Sequence, residues 1–170
     1  MIGKNLSMIE NIFEKRVAGI EPFSMLDFGE NLCGILFYNG CTFKCPYCYE
    51  KRIPGKMSVA TQELVLQDIS RIIRKDIQEI NVTWYGGEPL LYPTIIQEMS
   101  KSIISISKEQ NIKYNFGIIT NGYLINQKTI DLFNSIKMKN IQITIDGDEK
   151  THNSRRKLKN DGPTFKTIEK

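Results

Sequence analysis

Residues 33–48 read Cys-Gly-Ile-Leu-Phe-Tyr-Asn-Gly-Cys-Thr-Phe-Lys-Cys-Pro-Tyr-Cys. The first part, 33–39, is a continuous apolar run, the pattern of a strand covered on both faces in a parallel sheet. The rest is a loop leaving that strand's C-terminal end, where open α/β sheets and barrels bind their ligands. Three of the chain's four cysteines lie in it, Cys41, Cys45 and Cys48, at spacings of four and three residues. Thiolates so close together can reach one compact inorganic centre. Structural zinc takes four closed ligands, usually as two separated pairs. A four-iron cluster has four corners, each normally held by a cysteine. Three ligands on one short loop would leave one iron free to bind something else.

Downstream, strands alternate with helices. Ser58 or Thr61 can cap a helix with Val65, Ile69, Ile72 and Ile73 on one face. A second strand over 79–85 sets Ile80, Val82 and Trp84 on one side and runs into Gly86-Gly87-Glu88-Pro89. Ile95, Met99, Ile103 and Ile106 then recur at helical spacing. A third strand over 113–119 ends at Thr120-Asn121-Gly122. A helix around 127–137 is expected to bury Ile130, Phe133 and Ile136. The fourth strand, 141–145, ends at Asp146-Gly147. Its parity puts Ile141, Ile143 and Ile145 on one face, to pack on helices. Gln142, Thr144 and Asp146 take the other, toward a polar lumen. This alternation implies an α/β fold with a parallel sheet of right-handed βαβ units. About four such units can be counted, too few to close a barrel, so the chain reads as the N-terminal part of a longer domain.

Upstream, Ser7 and Glu10 form a capping-box pattern for a helix over 7–18, with Ile9, Ile12, Phe13 and Val17 on one face. Residues 1–19 are therefore expected to be a helical extension and 20–170 the core domain. At 170 residues, 41% of them apolar, the chain can bury a core of its own. Net charge is +4, from 23 basic against 19 acidic residues. That is too mild to call for nucleic acid. Residues 150–170 hold seven Lys or Arg against two acids, a run read as a solvated loop. No segment approaches the roughly 20 apolar residues of a membrane span, and no leader is visible. A cytoplasmic location follows. Clustered cysteines suit a reducing compartment and a metal rather than disulfides.

The turn Gly86-Gly87-Glu88-Pro89 stands one βα unit after the cysteine loop, at the same end of the sheet. Two glycines let backbone approach a ligand closely, and the carboxylate can accept from an ammonium. The plain alternative is a strand-to-helix turn. Cys33 lies within the first strand, where a small buried hydrophobe is the ordinary reading.

Taken together, these motifs resemble the radical S-adenosylmethionine (SAM) superfamily, over roughly residues 20–170. The fold implied is the first portion of a partial TIM barrel. The implied cofactors are a [4Fe–4S] cluster held by Cys41, Cys45 and Cys48, and SAM chelating the open iron. By the same resemblance, the backbone of Tyr47 contacts the adenine and Gly86, Gly87, Glu88 and Pro89 bind the methionyl amino group. Thr120-Asn121-Gly122 looks like the family's TNG turn. Thr144-x-Asp146-Gly147 with His152 and Arg155 is similar to the SxDGxxxxH motif of the peptide- and protein-modifying subfamily, with Thr where Ser is usual. Arg155 or Arg156 could meet the SAM carboxylate. The resemblance implies reductive cleavage of SAM and hydrogen abstraction, with a peptide or protein substrate and a reductant such as flavodoxin or ferredoxin. Two alternatives stay open: an activase of a glycyl-radical enzyme, and a zinc module using Cys33 with the three loop cysteines.

Overall fold

In a computed structural model the described residues are 31–38, 40–50, 55–73 and 77–170. The helix expected over 7–18 lies outside them. Four strands run β1 (Asn31–Tyr38), β2 (Glu79–Gly86), β3 (Lys113–Thr120) and β4 (Met138–Ile143), hydrogen-bonded in sequence order. All three pairings are parallel, with Tyr38 opposite Gly86 and Thr120 opposite Ile143. Between them stand α1 (Val59–Ile72), α2 (Pro93–Glu109) and α3 (Gln127–Ser135). The short helices α4 (Glu149–Arg155) and α5 (Phe165–Ile168) follow β4. The α/β expectation is met by this open parallel sheet.

Local chemistry explains the helix boundaries. Ser58 caps α1 by accepting from the Thr61 amide at 3.1 Å. Asn126 and Thr129 form a reciprocal capping box at the start of α3. Pro93 opens α2, where the missing N–H is not needed.

β2 alternates, with Ile80, Val82 and Trp84 buried. Phe116 and Ile118 of β3 continue that face, which packs on Val65 of α1, Ile96, Met99 and Ile103 of α2, and Leu132 and Phe133 of α3. The opposite face carries polar side chains, among them Asn115, which donates to Asn81 at 2.9 Å. On β2 and β3 one face therefore makes the core and the other carries polar side chains.

Three expectations are corrected. Ile130 is 42% exposed. The buried stripe of α3 is instead Thr129, Leu132, Phe133 and Ile136. Thr129 turns inward to close the capping box, which carries its neighbour Ile130 outward. The fourth strand begins at Met138 rather than 141 and stops at Ile143, after an irregularity between Phe116 and Gly117. Ile141 does pair beside the core residue Ile118, so its parity was read correctly. Yet Ile141, Ile143 and Ile145 are 48%, 38% and 52% exposed. Among the described residues β4 is the outer strand, so its core face has a neighbour there on one side only.

Candidate functional site

The cysteine loop is fixed from two directions. Along one side it pairs with the segment after α4. Phe43 and Leu158 form an antiparallel bridge, Lys44 N–H donates to the Lys157 carbonyl at 2.9 Å, and Lys159 N–H to the Thr42 carbonyl at 3.1 Å. Phe43 is 1% exposed and meets Tyr123 edge-on at 5.8 Å. It is the loop's apolar anchor.

From the other side the β2 turn touches the loop directly. Gly86 holds a φ of +111°, a region that disfavours side chains. A Cβ on Gly87 would stand 2.0 Å from the Gly40 carbonyl oxygen. Only glycine lets the two backbones meet there. The β3 turn joins them: Asn121 Nδ2 donates to Thr42 Oγ1 at 3.1 Å and approaches Cys41 Sγ at 3.8 Å. Cys41, Gly87 and Asn121, from three successive strand ends, thus share one locus at the sheet's C-terminal edge.

Glu88 is completely buried. Its Oε1 accepts from Leu90 N–H at 3.0 Å and Thr120 Oγ1 at 2.7 Å, and its Oε2 accepts from Asn121 N–H at 2.9 Å. Burial pushes its carboxyl above the usual range, and these three donors oppose the shift. The expected ammonium acceptor is thus a brace between two turns. Gly86 and Gly87 remain half-buried beside the cysteines, and Pro89 starts a short 3-10 turn over Pro89–Leu91.

The residues after β4 divide. Asp146 Oδ2 accepts from the Tyr47 hydroxyl at 2.6 Å, and Arg156 NH1 donates to the same hydroxyl at 2.7 Å. Arg156 lies 3.7 Å from Asp146 and 5.8 Å above the Phe43 ring. Arg155, the arginine expected in the site, ends α4 exposed. The inward arginine is the next one, because α4 has finished at Arg155 and Arg156 turns back toward the loop. Thr144 is half-buried just past β4.

His152 is a fixed internal pin. It is fully buried, its Nδ1 accepts from Asp146 N–H at 3.3 Å, and its Nε2 meets Thr164 Oγ1 at 3.1 Å. Thr164 spends its hydroxyl proton on the Arg156 carbonyl at 2.6 Å, so it must accept from His152. The imidazole is therefore neutral with the proton on Nε2. Burial pushes its pKa below the ordinary value, and the nearby Arg156 charge adds to this.

Of the thiols, Cys45 is buried, Cys41 half-buried and Cys48 exposed. Burial raises the pKa of Cys41 and Cys45, and Arg156 lowers that of Cys45. Cys41 feels Cys48, and Cys45 feels both other thiols, as like charges, so three thiolates together need added positive charge. Among the described residues no three His, Cys, Asp or Glu converge on a point that suits a single metal ion. A polynuclear centre needs no such convergence, since each thiolate takes its own corner. Cys33 lies in mid-β1 opposite Asn81, about 16 Å of strand before the loop at ~3.3 Å per residue. Four cysteines closing on one zinc is not what this geometry offers. The donor set fits a cluster held by three.

Sequence does not single out Phe43 or Thr164, and it offers Arg156 only beside Arg155 as a partner for the SAM carboxylate. Phe43 sits inside the motif, but only the bridge to Leu158 reveals its task.

The sequence profile of the Radical SAM superfamily matches residues 35–170. The radical SAM cyclopropyl synthase TigE of Paramaledivibacter caminithermalis is 25% identical, over 85% of this chain and 34% of that protein. A putative glycyl-radical enzyme activating enzyme of Methanocaldococcus jannaschii is 28% identical, over 50% of this chain and 34% of that protein. The solved structure of anSMEcpe with bound AdoMet and a peptide superimposes with a TM-score of 0.64 at 24% identity, covering 82% of this chain and 37% of that one. The chain thus spans about a third of the length of these relatives.

Proposed function

Because the chain belongs to the radical SAM superfamily, whose cofactors are a [4Fe–4S] cluster and SAM, we propose that it takes part in reductive SAM cleavage that starts hydrogen abstraction from a peptide or protein. The observation that carries this reading is the meeting of Cys41, Gly87 and Asn121 at one sheet edge. When bound, the cluster and SAM supply one-electron reduction and a hydrogen-abstracting group.

The chain's own residues bind and orient. Cys41, Cys45 and Cys48 would hold three irons. The half-buried backbone of Gly86 and Gly87 would offer carbonyls to the methionyl ammonium, with Glu88 keeping that turn in place. The Tyr47 backbone would contact the adenine. Asn121 and Thr144 offer polar groups nearby, and Asp146 fixes the Tyr47 ring through its hydroxyl. Of the two arginines, Arg156 is the one that turns toward the cysteine loop. The peptide substrate is supported by the peptide in the anSMEcpe structure. An activase role is the second reading, favoured by the match to the activating enzyme. Among the described residues no helix is long and apolar enough to cross a membrane. A flavodoxin or ferredoxin in the cytoplasm is the reductant we propose.

Anaerobic reconstitution tests the reading. The protein should take up iron and sulfide and, with reductant, convert SAM to 5′-deoxyadenosine and methionine. Zinc uptake without iron, or no cleavage by the full-length protein carrying this chain, would sink it. Deuterium passing from a labelled peptide into 5′-deoxyadenosine supports the peptide reading; a glycyl radical on a partner enzyme supports the activase.

A further inference from the structure

Arg156 is the only Lys or Arg in the buried class among the described residues. Its hydrogen bonding is incomplete. NH1 donates to the neutral Tyr47 hydroxyl at 2.7 Å, and Asp146 stands at 3.7 Å, too far for a good hydrogen bond. Asp146 gives its other oxygen to Tyr47. Nε is buried without a hydrogen-bond partner, which proteins seldom tolerate. A guanidinium carries five donors and a permanent charge, so this charge is only partly matched by the protein.

Its position gives the mismatch a direction. Phe43, beneath the guanidinium, and Tyr47, bonded to it, lie two residues either side of Cys45. The backbone around Leu158, two residues on, is stitched to the same loop. A buried cation is thus fixed against the loop residues that flank the middle cysteine, and its protein counter-ion is half committed elsewhere.

We propose that Arg156 is the fixed counter-charge of the iron–sulfur cluster and raises its reduction potential. The inference rests on the cluster reading above. A cluster held by three thiolates is anionic, and reduction adds one more negative charge. A cation held nearby in a low-dielectric setting favours the reduced form. Arg156 acts through charge and placement, as a positioning residue.

The test compares Arg156→Gln and Arg156→Lys in the reconstituted protein, by iron and sulfide content and by a redox titration followed by electron paramagnetic resonance. Arg156→Gln should keep its iron and sulfide but need a more negative potential. The reduced-to-oxidised ratio at fixed potential should fall about tenfold, or about 59 mV for one electron. Arg156→Lys, which keeps the charge, should stay close to the parent. Full iron with an unchanged potential in Arg156→Gln overturns the proposal. If Arg156→Gln cannot hold the cluster, Arg156→Lys decides: parent-like iron and potential support the charge role. Loss of the cluster there too overturns it, since guanidinium packing is then what the loop needs. A parent protein that takes up no iron and sulfide overturns the cluster reading, and this proposal with it.

Discussion

Glu88 and Thr120 meet at 2.7 Å across 32 residues of sequence, inside a region with no solvent contact to the carboxylate. Together with the Asn121 amide on the other oxygen, that contact locks the turn after β2 to the turn after β3. The two turns carry the half-buried glycines and the asparagine that face Cys41. One internal carboxylate thus ties these two turns to each other.

Replacing Glu88 with Gln should loosen this lock. The amide keeps one acceptor but presents N–H groups where Asn121 also presents one. An unmatched buried donor costs about 1–3 kcal/mol. The midpoint of thermal unfolding should fall, and SAM affinity should weaken because the turn bearing Asn121 shifts. An unchanged midpoint would mean that the network carries no stability.

Gly87→Ala should be worse for the site than for the fold. The new Cβ would lie 2.0 Å from the Gly40 oxygen and 2.7 Å from its carbonyl carbon. Both are backbone atoms that cannot swing away, so the start of the cysteine loop must move. Reconstituted Gly87→Ala should lose most of its iron and sulfide. Gly117→Ala, whose nearest neighbour is Thr83 Oγ1 at 3.4 Å, should keep them. Equal iron in both proteins would contradict the close-approach argument.

Much of this was legible in sequence because it follows from period and spacing. The alternation of Ile80, Val82 and Trp84 names the core face of β2, and the glycine pair names a close approach, expected of a ligand and made at Gly87 by the Gly40 backbone. The errors have physical causes. Ile130 and Leu132 are both apolar on α3, and only the Thr129 capping bond decides which faces inward. Arg155 and Arg156 are chemically identical neighbours, and the end of α4 chooses between them. Glu88 reads as a free carboxylate until Thr120 and Asn121 fold beneath it. Contacts between distant turns leave no local pattern to read.

His152 should give the protein an acid-sensitive step. The folded state resists protonating the buried ring, whose Nδ1 already accepts from Asp146 N–H. An unfolded chain takes the proton near the ordinary value of 6.5. Below that pH the unfolded state binds more protons, so stability falls as pH drops. The contribution should be fully present above about 6.5 and lost on descending from there toward the lower folded value. Glu88, shifted upward, works in the opposite sense, so the comparison must isolate the histidine. His152→Gln should have a shallower decline in unfolding free energy between pH 6.5 and 5 than the parent. Parallel curves would rule the histidine out as the source.

The cysteines should separate into two kinds. Cys41, Cys45 and Cys48 lie on one loop pinned by Phe43, whereas Cys33 lies in mid-β1 opposite Asn81. About 16 Å of strand at ~3.3 Å per residue divides it from the loop. Cys41→Ala, Cys45→Ala and Cys48→Ala should each lose most of the iron and sulfide taken up on reconstitution. Cys33→Ser should keep both, with a packing loss only. Adding SAM should change the electron paramagnetic resonance of reduced Cys33→Ser as it does that of the parent, because the open iron is still there to be bound. A zinc module built on four cysteines predicts otherwise. All four substitutions would then cost metal alike, and SAM would leave every spectrum unaltered. The outcome decides whether three thiolates and one open position exist, the premise on which the roles given to Gly86, Asn121 and Arg156 depend.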